Sequence, residues 1–151
     1  MRSGFTIIIF LAMGFSAHAQ STEDSVKAAV NLLFDGMRNA DAATIQSAFA
    51  DSAVLQTIAR TKEGKVVVKN DAVKDFAQHI SKLPKDSADE RIAFETIKID
   101  GPLASVWTPY KFYYAGKFSH CGVDSYQLVR INGVWKIQYL IDTRRKQPCR
   151  L

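Results

Sequence analysis

By residue type and spacing, Asp124 and His120 are best placed to do chemistry. They lie four residues apart in SHCGVDSYQL, a stretch rich in strand-forming types. In a strand, that spacing puts both side chains on one face, with Tyr126 and Leu128 next in the same row. A carboxylate among aromatic neighbours is costly to bury ionised, so it must be hydrogen-bonded, shifted in pKa or lining a cavity. Such an acid suits a general base that takes a proton beside a carbonyl. His120 or a tyrosine hydroxyl would then donate to the developing oxyanion. The same groups would equally orient a bound ligand without turning it over.

These residues need a scaffold, and the last third of the chain supplies one. Residues 103–145 read as three long antiparallel strands cut by two turns. Asn132-Gly133 is a strong two-residue hairpin signal, and Ala115-Gly116 a weaker one. Uninterrupted pairing from Asn132-Gly133 puts Gln127 opposite Gln138, Val123 opposite Asp142 and Cys121 opposite Arg144. The Ala115-Gly116 turn puts Tyr110 opposite Cys121 and Thr108 opposite Val123. One face then carries Trp107, His120, Asp124, Tyr126, Trp135, Tyr139 and Ile141, and the other Tyr110, Phe112, Val123, Val129, Asp142 and Arg144. The first is the more aromatic and is expected to meet the helices. Trp107, Tyr126, Tyr139 and Ile141 there are the candidate walls of a pocket for a small, flat, largely apolar molecule. The plainer reading is that they simply fill the core. On the second face, Tyr110, Phe112, Val123 and Val129 would form a homodimer surface. Asp142 and Arg144, two apart, read there as a surface ion pair worth under about 1 kcal/mol.

Residues 1–19 have the form of a secretory signal peptide: Arg2, an apolar run too short to span a membrane, then Ala17-His18-Ala19. The expected mature chain, 20–151, is one domain in length, exported to the periplasm or beyond, with no membrane segment after cleavage. Removing Arg2 lowers the formal charge from +5 to +4. That excess is mild and scattered, and no nucleic-acid motif accompanies it, so a nucleic-acid partner is not expected. Cys121 and Cys149 can form a disulfide in an oxidising compartment; the alternative is a buried Cys121 and a loose tail thiol. No metal-ligand spacing is present, and no cofactor is expected.

Upstream, Ser21 or Thr22 caps a first helix with an apolar stripe at Val26, Ala29, Val30, Leu33, Phe34 and Met37. Asp41 starts a second, shorter helix. A short hairpin follows at 53–60 and 66–69. Asn70 is expected to cap a third helix, with His79 at the border of its apolar stripe and packing at the core edge. In 90–99, Ile92 and Phe94 share one face but Ile97 and Ile99 the other, which calls for a β-bulge near Glu95-Thr96. Helices first and strands after argue for an α+β fold, with three N-terminal helices packed on one face of a strongly curved, mainly antiparallel sheet.

This order, with FDGMRNAD (34–41), FADSAVL (49–55), VWTPYKFYYAGKFSHCG (106–122) and NGVWKIQYLIDTRR (132–145), resembles the nuclear transport factor 2-like superfamily. Within it the chain is similar to the secreted bacterial SnoaL-like and lumazine-binding-type proteins. The resemblance spans the expected mature chain. It implies a cone-shaped roll with a pocket between sheet and helices, and dimerisation through the outer sheet face. Some members of the superfamily are isomerases, dehydratases or cyclases that use a pocket Asp, alone or with a His; Asp124 and His120 occupy similar positions. Neither matches a particular enzyme's motif, and a fold alone does not give a function.

Overall fold

The Ser21 hydroxyl accepts the Asp24 amide at 3.0 Å and so begins α1, Thr22–Asn39, in a computed structural model that describes residues 21–149. The signal peptide reading lies outside those residues. α1 ends where Ala40 turns left-handed at φ 53° and returns its N–H to the last turn. The Asp41 carboxylate then caps α2, Ala42–Ala48, through the Ala43 and Thr44 amides. Gly36 lets the two helices close up, because a Cβ there would sit 2.8 Å from Ile45.

After α2 come β1 (Phe49–Arg60), β2 (Val66–Asp71), α3 (Val73–Ser81), β3 (Ala88–Ile92), β4 (Thr96–Asp100), β5 (Leu103–Tyr114), β6 (Lys117–Ile131) and β7 (Val134–Arg145). The expected α+β class is present: three helices lie against one mixed sheet of order β2-β1-β7-β6-β5-β3, with β4 also on β5. All neighbours are antiparallel except β1 and β7. The core is the apolar stripe of α1 with Ile45, Ala77 and Ile80 from the other helices, closed over Ala104, Val106, Tyr126, Leu128, Trp135 and Ile137 of the sheet.

One cap differs from expectation. Asn70 belongs to β2, where its side chain accepts from Gln56 at 2.7 Å, and α3 begins after Ala72 with no side-chain cap. The slip expected near residue 95 does occur. Ile92 pairs with Tyr110 and Thr96 with Trp107, so one edge advances a residue further than the other, and Ile92 and Ile97 end on the same face.

Both hairpin turns form at the expected dipeptides, with positive φ at Ala115, Gly116, Asn132 and Gly133. The register does not hold along either ladder. β6 carries an extra residue at Ser119, so Phe112 pairs with His120, Tyr110 with Gly122 and Thr108 with Asp124. β7 carries one at Gln138, so Tyr126 pairs with Leu140, Asp124 with Asp142 and Gly122 with Arg144. Each bulge exchanges the faces of the neighbouring strand beyond it.

Candidate functional site

The two bulges decide what meets beneath the helices. His120, Asp124 and Tyr126 keep their common face because they share one strand. Across the ladders the expected partners are replaced. Thr108, Tyr110 and Phe112 of β5 and Leu140, Asp142 and Arg144 of β7 turn inward, so neither Tyr110 nor Phe112 is on an outer surface, and the Asp142–Arg144 pair lies on the cavity face, with Asp142 buried and Arg144 half-exposed. Trp107, Tyr139 and Ile141 turn outward and are not part of the inner wall. Trp107 borders a separate shallow depression of about 120 Å³ and is 45% exposed. Tyr139 donates to Gln56 Oε1 at 2.7 Å on that outer side.

The inward side chains and the helices enclose a cavity of about 390 Å³, within the range of small-molecule sites. Its apolar wall is Leu33, Phe34 and Met37 of α1, Phe76 and Ile80 of α3, and Phe112 and Leu140 of the sheet. His79 faces this space from α3, exposed and at the mouth rather than packed into the core edge. The opposite end is polar, with Glu90 of β3 joining Asp124, Asp142, Arg144, Tyr110 and His120.

Asp142 is buried and fully engaged. It accepts from Thr57 Oγ1 at 2.5 Å and from Arg144 Nε at 2.8 Å, and the Tyr110 hydroxyl lies 3.2 Å away. Arg144 also donates to Thr57 Oγ1 at 3.1 Å. Tyr110 donates to the Thr143 carbonyl at 2.9 Å, with its ring over the backbone of Gly122. Burial and the charge of Asp142 push its hydroxyl far above the usual range.

Asp124 is buried in a different setting. It accepts from the Tyr126 hydroxyl at 3.0 Å and Thr108 Oγ1 at 3.3 Å, but no cation among the described residues is bonded to it. Loss of water and the Asp142 charge push its pKa up to about 7, against the pull of bonds from Tyr126, Glu90 and Thr108. Glu90 is raised well above the carboxylate range by burial, by the charge of Asp124 and by the bond between the two carboxyls. The physical result is a carboxyl pair that holds a proton near neutrality. His120 is lowered from its ordinary value, first by burial and then by the Arg144 charge, so its ring is neutral there. It packs against Phe112 and edge-on to Tyr110.

Outside the cavity, Cys121 and Cys149 are joined as a disulfide with Cα atoms 5.7 Å apart. Among the described residues no three His, Cys, Asp or Glu side chains come together to hold a metal ion.

Sequence reasoning missed Glu90, Thr57, Tyr110, Asp142 and Arg144 as cavity residues, and Thr108 as a buried partner of Asp124. For Glu90 a signal existed: it stands two before Ile92, which places an acid on the apolar side of its strand.

Residues 21–139 match the family model described as "Putative lumazine-binding". The chain belongs to this family. No curated protein matches it significantly. Solved structures show the same nuclear transport factor 2-like, cystatin-like fold. An NTF2-like protein of unknown function from Shewanella baltica superposes with TM-score 0.64 at 16% identity, covering 83% of this chain and 94% of that one. A protein of the same description from Silicibacter pomeroyi gives 0.63 at 16% identity, covering 83% and 100%. A cystatin-like domain of unknown function from Nostoc punctiforme gives 0.65 at 16% identity, covering 85% and 81%. At these identities the likeness carries the fold alone, so the family's role in this chain has to be read from its own cavity.

Proposed function

We propose that this member of the family is an exported small-molecule-binding domain. Its cavity takes a flat, largely apolar molecule and orients it by a polar group at the Glu90–Asp124 end. One observation carries the reading: a space of about 390 Å³ has an apolar wall on one side and, at the other, a carboxyl pair with no cation partner among the described residues. A core that merely filled itself would not leave an acid pair facing open volume. Native mass spectrometry of the protein, exported and gently purified, tests it. A reproducible small-molecule adduct that is lost when Leu140→Trp fills the cavity is the expected result. An adduct that survives Leu140→Trp would put the ligand elsewhere.

A second reading is favoured by the protonation of Asp124 near neutrality. A carboxyl poised there can exchange a proton with a ligand, as isomerases and dehydratases require. Turnover abolished in Asp124→Asn, with binding retained, would separate this from ligand orientation alone.

We further propose that two copies pair through the outer sheet face. Val54 and Val68 (43% and 51% exposed) and Trp107 lie there with Ile141 and Val123 between them. Trp107→Arg is expected to halve the mass in solution while ligand binding persists. A dimer that survives it removes this face from the account.

A further inference from the structure

The cavity has the wrong sign for the protein that contains it. The chain carries a formal charge of +5, yet five carboxyls line this space, Asp71, Asp75, Glu90, Asp124 and Asp142. Against them stand Arg144 and two histidines. The Arg144 guanidinium gives Nε to Asp142 and Nη2 to Thr57, so the one arginine of the lining is paired with one of the five acids. Glu90, by contrast, has no side-chain partner among the described residues except Asp124. The acidic end is also walled by aromatic rings: Phe112, Tyr110 and Tyr126 come from the sheet beside the carboxyls, and Phe34 and Phe76 from the helices. Ring faces and a carboxylate together stabilise an organic cation, because the ring quadrupole and the negative charge act in the same sense. Among the described residues the carboxyls do not gather as a metal-binding set. Hydration and a hard coordination sphere are not what this wall provides.

We infer that the cavity selects an organic base with a flat ring system, an arylalkylamine or amidine, whose protonated nitrogen donates to Glu90 and Asp124 while its ring system lies among Phe34, Phe76 and Phe112. The inference rests on the proposed ligand-binding role and narrows it to a class. On binding, the protonated ligand nitrogen takes the place of the proton that the two carboxyls otherwise share, and that proton is released to solvent. No covalent step is involved.

Three probes of one shape test it: 1-naphthylmethylamine, 1-naphthalenemethanol and 1-naphthoate, titrated calorimetrically at pH 7 into the full protein. The amine is expected to bind at least about tenfold more tightly than the alcohol, the factor that one charge-assisted hydrogen bond supplies, and the carboxylate more weakly still. Glu90→Gln, which keeps shape and removes the acid, is expected to bring amine and alcohol within about threefold of each other while leaving the alcohol's affinity unchanged. Equal or tighter binding of the alcohol or the carboxylate by the unaltered protein overturns the choice of class and leaves the pocket standing. Preference for the amine that persists in both Glu90→Gln and Asp124→Asn overturns the assignment to these carboxyls. Failure of all three probes to bind overturns the class together with the ligand-binding reading on which it rests.

Discussion

Asp124 and Asp142 stand directly opposite one another across the β6–β7 ladder, both buried on the inner face of the sheet. Like charges in that relation are destabilising. The fold answers them unequally. Asp142 receives Arg144, Thr57 and Tyr110, whereas Asp124 receives hydroxyls and a second carboxyl, Glu90. One acid is therefore matched by a cation and by hydroxyl donors, and the other is left to keep a proton. The two positions differ in role although they are identical in residue type.

That inequality sets a pH dependence. The folded-state pKa values of Asp124 and Glu90 are raised, so between about pH 4 and 7 the native state binds more protons than the unfolded chain. Stability is accordingly greatest at the acid side of that window and falls as pH rises through the folded pKa of about 7. Denaturant unfolding at pH 5.5 and pH 8 should show the loss, by a few kcal/mol. In Asp124→Asn the difference should shrink to less than half. An unchanged profile in that variant would mean that the carboxyl pair does not titrate in this range.

Gly122 is the point where the sheet is tightest. A Cβ there would lie 1.7 Å from the Thr143 carbonyl oxygen and 2.7 Å from the Tyr110 ring. Gly122→Ala must therefore part β6 from β7 beside Arg144 and displace Tyr110. A loss of about 3 kcal/mol or more is expected, in the range of severe overpacking. Chemical denaturation measures it directly, and a variant within about 0.5 kcal/mol of the parent would show that the strands give way easily there.

The Cys121–Cys149 bridge closes 28 residues of chain around β7. On the loop-entropy estimate its removal costs about 3.5 kcal/mol. Thermal melts with and without reductant, compared with the Cys121→Ala/Cys149→Ala double variant, check this. Reductant should lower the melting temperature of the parent and leave the double variant unmoved. Equal melts under both conditions would show that the bridge contributes nothing.

How much of this was legible in the chain depends on whether a feature lies along a strand or across strands. The turns at Ala115-Gly116 and Asn132-Gly133 were visible because positive φ demands particular residues. His120, Asp124 and Tyr126 were correctly grouped because alternation within one strand survives any change in its neighbours. Trp107, Tyr139 and Ile141 were misplaced because grouping them with Asp124 required counting across two ladders. The extra residues are Ser119 and Gln138, neither a glycine nor a proline, so composition does not betray the bulges. The same miscount hid Tyr110, Asp142 and Arg144 by placing them on the outer face. The helices and their caps were plain from stripe and spacing, except at Asn70, where β2 runs on through the expected cap.

The central claim is that the space between sheet and helices is a ligand site whose working end is Glu90–Asp124. A crystal structure of the protein grown with 1-naphthylmethylamine tests it most directly. The account expects ring density between Phe34, Phe76 and Phe112, with the nitrogen within hydrogen-bond distance of the Glu90 or Asp124 carboxyl. Density found only on the outer face, or a cavity closed by its own side chains, would contradict it.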